Sequence, residues 1–172
     1  IPEGCCQIPG CSRRIFVSVK AEESKEGSET LYLIPRILTL GIGCRKGIKK
    51  EKLKKTILSC LKEQRIFVQG VCQAATIDLK ANEASLNELC QEMGWPLLSF
   101  SADQLGSLKG TFSHSQFVER TVGVGNVCER AAVLASKGQG GKLLVTKQVL
   151  DGVTLAIAVG DWQLNLGNLT KS

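Results

Sequence analysis

The chain has 172 residues, 43% of them hydrophobic and 22% charged, so it is long enough to bury a core and too apolar to be disordered. Its net charge of +6 favours anionic partners, but an aromatic content of 5% and basic residues concentrated on one segment argue against nucleic acid and for a small polyanion. The chain contains no run of about 18 apolar residues and no charged-then-apolar leader, so no membrane association is expected and a cytoplasmic location is.

The first segment carries Cys5, Cys6 and Cys11 around Pro9 and Gly10 without a core pattern. The other five cysteines, Cys44, Cys60, Cys72, Cys90 and Cys128, are scattered through regular segments with no C-x-x-C pair. They are expected as small buried thiols rather than ligands. His114 is the sole histidine and lies far from the cysteine cluster, so no metal site is expected.

In chain order, Ile15–Val19 reads as a strand and Ala21–Thr30 as a glutamate-rich linker. Residues 1–30 are therefore expected to be an arm or the end of a preceding domain, residues 31–160 the domain proper, and residues 161–172 a tail. The apolar segment Leu31–Leu40 ends in a buried strand and runs into Gly41-Ile42-Gly43-Cys44-Arg45-Lys46-Gly47. Three glycines at a strand-to-helix turn permit positive φ and close approach of a ligand, and the helix that follows would point free N–H groups at the same place. Such a turn suits an anion.

Leu53, Ile57, Leu58 and Leu61 recur at helical spacing within Lys49–Glu63, with lysines on the opposite side. Cations in a first turn oppose the helix dipole, so these lysines read either as a solvated face or as partners for a bound carboxylate or phosphate. The spacing is not GxxxxGK[ST], which argues against a nucleoside triphosphatase. Phe67, Val68, Val71 and Cys72 suggest a short helix, Ala74–Lys80 a strand running into a loop, and Asn82 the cap of a helix burying Leu86, Leu89, Cys90 and Met93.

Gly94-Trp95-Pro96 ends that helix, Leu97–Phe100 forms a short strand, and Ser101–Leu105 a capped helical turn. A Gly- and Ser-rich loop containing His114 follows, long enough to line a site. Gly123–Asn126 leads into a helix with Val127, Ala131, Leu134 and Ala135 inward, and strands at Leu143–Thr146 and Val153–Val159 close the sheet. Strands alternating with helices predict a three-layer α/β/α fold with a mixed, mainly parallel sheet. Ligands of such sheets bind outside the carboxyl ends of strands, where Arg45, Asp78, Lys80 and Glu83 fall and could converge with His114 and Glu129.

Several of these segments together carry a resemblance. They are Gly41–Gly47, Ile77-Asp78-Leu79-Lys80 with Glu83, Phe100-Ser101, Ser113–Val118, Gly123-Val124 with Val127–Ala132, Lys147, and Thr154 with Ala156 and Ala158. In order and spacing, from about Leu33 to Val159, they resemble the carboxyl-terminal domain family shared by the cobalamin-biosynthesis protein CbiG, cobalt-precorrin-5A hydrolase, and its small relative CobE. The resemblance implies a role in anaerobic corrin ring formation. There the hydrolase opens a lactone on cobalt-precorrin-5A to give cobalt-precorrin-5B, and a two-carbon fragment leaves as acetaldehyde. The implied partner is a tetrapyrrole bearing many carboxylates, together with other enzymes of the pathway, and cobalt is expected only as part of the substrate, with no separate cofactor. The family hydrolase has a further amino-terminal region, of which residues 1 to about 30 would be only the end.

Lactone opening needs a base for water and donors for the oxyanion, and carbon–carbon cleavage can pass its electrons into the macrocycle. Glu83 and Glu129 are candidate bases, Lys80 and Arg45 candidate oxyanion or carboxylate partners, and His114 a candidate for either role. Gly41, Gly43, Cys44, Lys46, Gly47, Asp78, Ser101 and Lys147 are candidate substrate contacts. Each has a structural alternative: Glu83 as a first-turn carboxylate, Glu129 in a reciprocal cap with Asn126, Lys80 paired to Asp78 or Glu83, His114 as a solvated loop residue. The chain has no G-x-S-x-G and no Ser-His-Asp ordering, so a covalent mechanism has no support. Two other readings stay open: a noncatalytic corrinoid carrier, as CobE is expected to be, and an anion- or nucleotide-binding domain indifferent to tetrapyrroles.

Overall fold

A computed structural model describes residues 13–22, 29–108, 112, 126–136 and 141–162. Its centre is a five-stranded sheet in the order β5-β4-β3-β7-β6, built from β3 (Leu38–Cys44), β4 (Val71–Ile77), β5 (Leu97–Phe100), β6 (Lys142–Leu150) and β7 (Val153–Val159). β3, β4 and β5 are parallel, and β7 runs antiparallel to both β3 and β6. Four strands therefore share one direction and β7 opposes them.

The alternation along β3 sets the layers. Leu38, Leu40, Ile42 and Cys44 join Leu53, Ile57, Cys60 and Leu61 of α1 (Lys50–Glu63) and Leu86, Leu89 and Cys90 of α2 (Ala84–Met93) in the larger core. Burial of each such Leu or Ile contributes about 1.5–3 kcal/mol. On the other face, Ala75 and Ile77 of β4 meet Leu105 of α3 (Ala102–Gly106) and Ala131 of α4 (Val127–Ser136). Arg130 of α4 donates from one guanidinium nitrogen to the carbonyls of Leu105 and Leu108 (2.9 and 2.8 Å) and lies over the Phe112 ring. The three-layer α/β/α expectation holds.

Outside the sheet, β1 (Arg13–Val17) and β2 (Glu29–Leu33) pair in parallel. Pro35 separates β2 from β3, which divides the single apolar segment read from sequence into two strands in different sheets. The arm is stitched to the segment after α1, where Ala21 N–H donates to the Arg65 carbonyl (2.8 Å) and Phe67 N–H to the Val19 carbonyl (2.9 Å). Tyr32 stacks on Phe16 and meets Phe67 edge-on, with centroids 5.7 and 5.0 Å apart. Residues 23–28 of the expected linker lie outside the described residues, and Glu29 and Thr30 belong to β2.

Several local readings need correction. The short helix expected at Phe67–Cys72 is one 3-10 turn over Val68–Gly70, and Val71 and Cys72 open β4. β4 ends at Ile77, and Asp78–Lys80 form a second 3-10 turn in place of strand. The N-cap of α2 is Glu83, not Asn82. α2 closes as expected at Gly94, in the left-handed region (φ +65°), with Trp95 N–H bonded back to the Cys90 carbonyl. β6 spans nine residues where four were expected, because two irregularities let it continue past Val145. Cys44, Cys60, Cys90 and Cys128 are buried thiols, as expected, whereas Cys72 is only half-buried. Burial raises Cys90 and Cys128 to about 11.

Candidate functional site

The parallel strands deliver Cys44, Ile77 and Phe100 to one edge of the sheet, and the loops beyond them form a rim. After β3 the chain turns through Arg45, Lys46 and Gly47, all exposed, before α1 begins. Gly47 has φ +71° with open space around its Cα, and its N–H donates to Glu83 Oε1 at 2.9 Å. Lys80 Nζ lies 3.7 Å from Glu83 Oε2. One carboxylate at the start of α2 thus fastens the glycine loop with one oxygen and faces a lysine with the other. Beneath them, burial raises the Cys44 thiol; the Lys80 charge opposes that rise and the Glu83 charge adds to it.

The remaining rim residues have local duties. Asp78 Oδ1 accepts from Leu79 N–H at 2.7 Å within its own 3-10 turn. Ser101 caps α3 in a reciprocal box with Gln104, its hydroxyl accepting from Gln104 N–H and its own N–H donating to Gln104 Oε1. Asp78 is exposed and Ser101 half-exposed.

Two glycines were expected to admit a ligand, and the protein itself fills their space. A Cβ on Gly41 would fall 1.8 Å from the Cys128 carbonyl oxygen, so this residue lets α4 lie directly on the sheet. A Cβ on Gly43 would fall 2.4 Å from Thr154 Oγ1. Of the three, only Gly47 has open space around its Cα.

Glu129 and Lys147 also part from the rim group. Glu129 is fully buried under α4, where its Oε1 accepts from the main-chain N–H of Lys147 at 2.7 Å and its own N–H donates to Asn126 Oδ1 at 3.3 Å. Lys80 and Glu83 sit beside Cys44, which packs with α1 and α2, so the sheet lies between the two groups. His114, with Ser113–Val118 and Gly123-Val124, lies outside the described residues.

The hairpin Asp151-Gly152 joins this edge and was not singled out from sequence, although Asp-Gly between two apolar strands is a strong turn signal. Gly152 accepts the Arg45 N–H at 3.0 Å. The rim therefore offers exposed cations on a tethered loop, a lysine–carboxylate pair, and oriented backbone.

The chain is thus a three-layer α/β domain of the open-sheet class, with exposed cations at the carboxyl ends of its parallel strands. The family described as Cobalamin synthesis G C-terminus matches residues 38–158, and the chain belongs to that family. It is 32% identical over 153 residues to the cobalt-precorrin-5A hydrolase of Salmonella typhimurium, covering 89% of this chain and 43% of that protein. The cobalt-precorrin-5A hydrolase of Priestia megaterium is 29% identical over 140 residues, covering 81% of this chain and 36% of that protein. The crystal structure of CobE, a protein from the cobalamin biosynthetic pathway, superposes with a TM-score of 0.67 at 28% identity, covering 73% of this chain and 92% of CobE. The chain spans about two fifths of the length of these hydrolases.

Proposed function

We propose that the chain is the carboxyl-terminal part of a cobalt-precorrin-5A hydrolase acting in cobalamin biosynthesis. Its substrate is a tetrapyrrole carrying its own cobalt, with other enzymes of the pathway as neighbours. The observation that carries this reading is the tethered loop Arg45-Lys46-Gly47, which holds exposed cations beside the Lys80–Glu83 pair. Peripheral carboxylates of the macrocycle pair with Arg45 and Lys46.

Glu83 accepts a proton from water as the water oxygen adds to the lactone carbonyl, and Lys80 holds the oxyanion. The ring C–O bond then breaks to leave a carboxylate and an alcohol. Carbon–carbon cleavage releases acetaldehyde, its electron pair passing into the conjugated ring. Asp78 and Ser101 flank the bound edge.

A second reading, a noncatalytic corrinoid carrier, is favoured by one observation: the match spans 92% of CobE but only two fifths of the hydrolases. Anaerobic incubation with cobalt-precorrin-5A, following tetrapyrrole absorbance and trapped acetaldehyde, separates the two. Acetaldehyde formation, lost in Glu83→Gln, places turnover here. A spectral change without acetaldehyde, abolished by Arg45→Ala, assigns the chain as the carrier. No interaction at all removes the corrinoid reading.

A further inference from the structure

We propose that the Asp151-Gly152 hairpin is a specificity element that holds the Arg45 guanidinium in position for a carboxylate on the ligand's edge, with Gly152 as the positioning residue. This rests on the reading of the rim as a carboxylate site. Asp151 and Gly152 have φ +51° and +82°, and the flanking Leu150 and Val153 are paired, so the two residues form the left-handed two-residue turn that Asp-Gly favours. The turn presents bare backbone where any other residue would carry a side chain.

Arg45 lies across that bare surface. A Cβ on Gly152 would fall 3.0 Å from Arg45 Cδ, 3.3 Å from Nε and 3.4 Å from Cγ. The main chain of Arg45 is fixed to the same residue through its N–H to the Gly152 carbonyl at 3.0 Å. Arg45 is thus held at both backbone and stem.

The neighbouring charges leave its head available. Asp151 lies 3.9 Å from Lys52 Nζ, and among the described residues no carboxylate is within salt-bridge distance of Arg45. A planar guanidinium held by its stem offers a fixed two-pronged donor and loses little freedom when a carboxylate arrives. Lys46, beside it on the exposed turn, has no such support in the contacts described, so Arg45 sets where the carboxylate must sit.

The test uses three variants of the chain: Gly152→Asn, which keeps a residue tolerant of left-handed backbone but adds a Cβ, Arg45→Ala, and the double substitution. Two readouts are followed, the heteronuclear NOE of the Arg45 Nε–Hε group and the affinity for uroporphyrin, a tetrapyrrole with eight carboxylates. In the unsubstituted chain the Nε–Hε group is expected to be as ordered as the backbone, and Gly152→Asn to mobilise it. Gly152→Asn should weaken uroporphyrin binding about tenfold, the scale of one charged hydrogen bond, with no further loss in the Arg45→Ala background.

A freely averaging Nε–Hε group in the unsubstituted chain overturns the proposal before any variant is made. So do losses that add in full in the double variant. An ordered group that Gly152→Asn loosens, in a chain indifferent to uroporphyrin, upholds the positioning and removes the tetrapyrrole reading instead.

Discussion

Glu129, a candidate base, takes part in hydrogen bonds that hold the fold. Its spacing from Asn126 is that of a reciprocal cap, and Asn126 Oδ1 accepts the Glu129 N–H. The carboxylate itself goes to the Lys147 N–H, which the irregularity in β6 frees from the strand ladder. That partner lies 18 residues further on, so no local pattern announces it. Glu129→Ala leaves the half-buried Lys147 N–H without this acceptor and should cost about 1–3 kcal/mol in urea unfolding, whereas Glu129→Gln keeps an acceptor and should lose less than half as much. Equal losses in the two variants would mean that the hydrogen bond is not what the carboxylate supplies.

Among elements, the lysines of α1 resolve into separate duties. Lys50 and Lys54 both reach Glu92 near the end of α2, tying the two helices of one layer together, and Lys52 faces Asp151 across to the hairpin. Hydrogen bonds from Lys54 and then Lys50 hold the Glu92 carboxyl down at about 2. A carboxyl lowered on folding contributes stability that is fully present above its unfolded value and is lost as pH falls through its folded one. Melting temperature should therefore drop between about pH 4.5 and pH 2, and part of that drop should vanish in Glu92→Gln. An unchanged pH profile in Glu92→Gln would show the pair to be fully screened.

The helices were legible because Leu53, Ile57 and Leu61, or Leu86, Leu89 and Cys90, repeat with the helical period. Phe67–Cys72 was not, since a short apolar run has no period and its outcome depends on β3 as a neighbour. Of the rim, Arg45, Lys80 and Glu83 could be gathered from strand ends alone. The Glu83 bond to Gly47 and the covering of Gly41 by α4 depend on how distant segments dock, which spacing does not encode.

For the whole molecule, the small β1–β2 sheet is joined to the main domain through Tyr32 and two backbone bonds, with Val19 of the arm packed against the main core. Tyr32→Ala should speed amide exchange at Ala21 and Phe67 by about tenfold, the scale of one aromatic pair, while amides of β3 and β7 keep their protection. Simultaneous loss of protection in both sheets would show that the arm and the domain unfold as one unit. The order of strands was beyond reach from sequence, because insertion of β7 between β3 and β6 is a pairing of distant segments.

Among the described residues, β6 lies at the edge of the five-stranded sheet, with Val149 exposed. A straight edge of this length would offer a template on which strands of other molecules could build. The irregularities between Leu143 and Gln148 interrupt that template, and the Lys147 amide is already taken from within by Glu129. The same distortion that gives a buried carboxylate its partner therefore also guards the molecule against growing into a fibre.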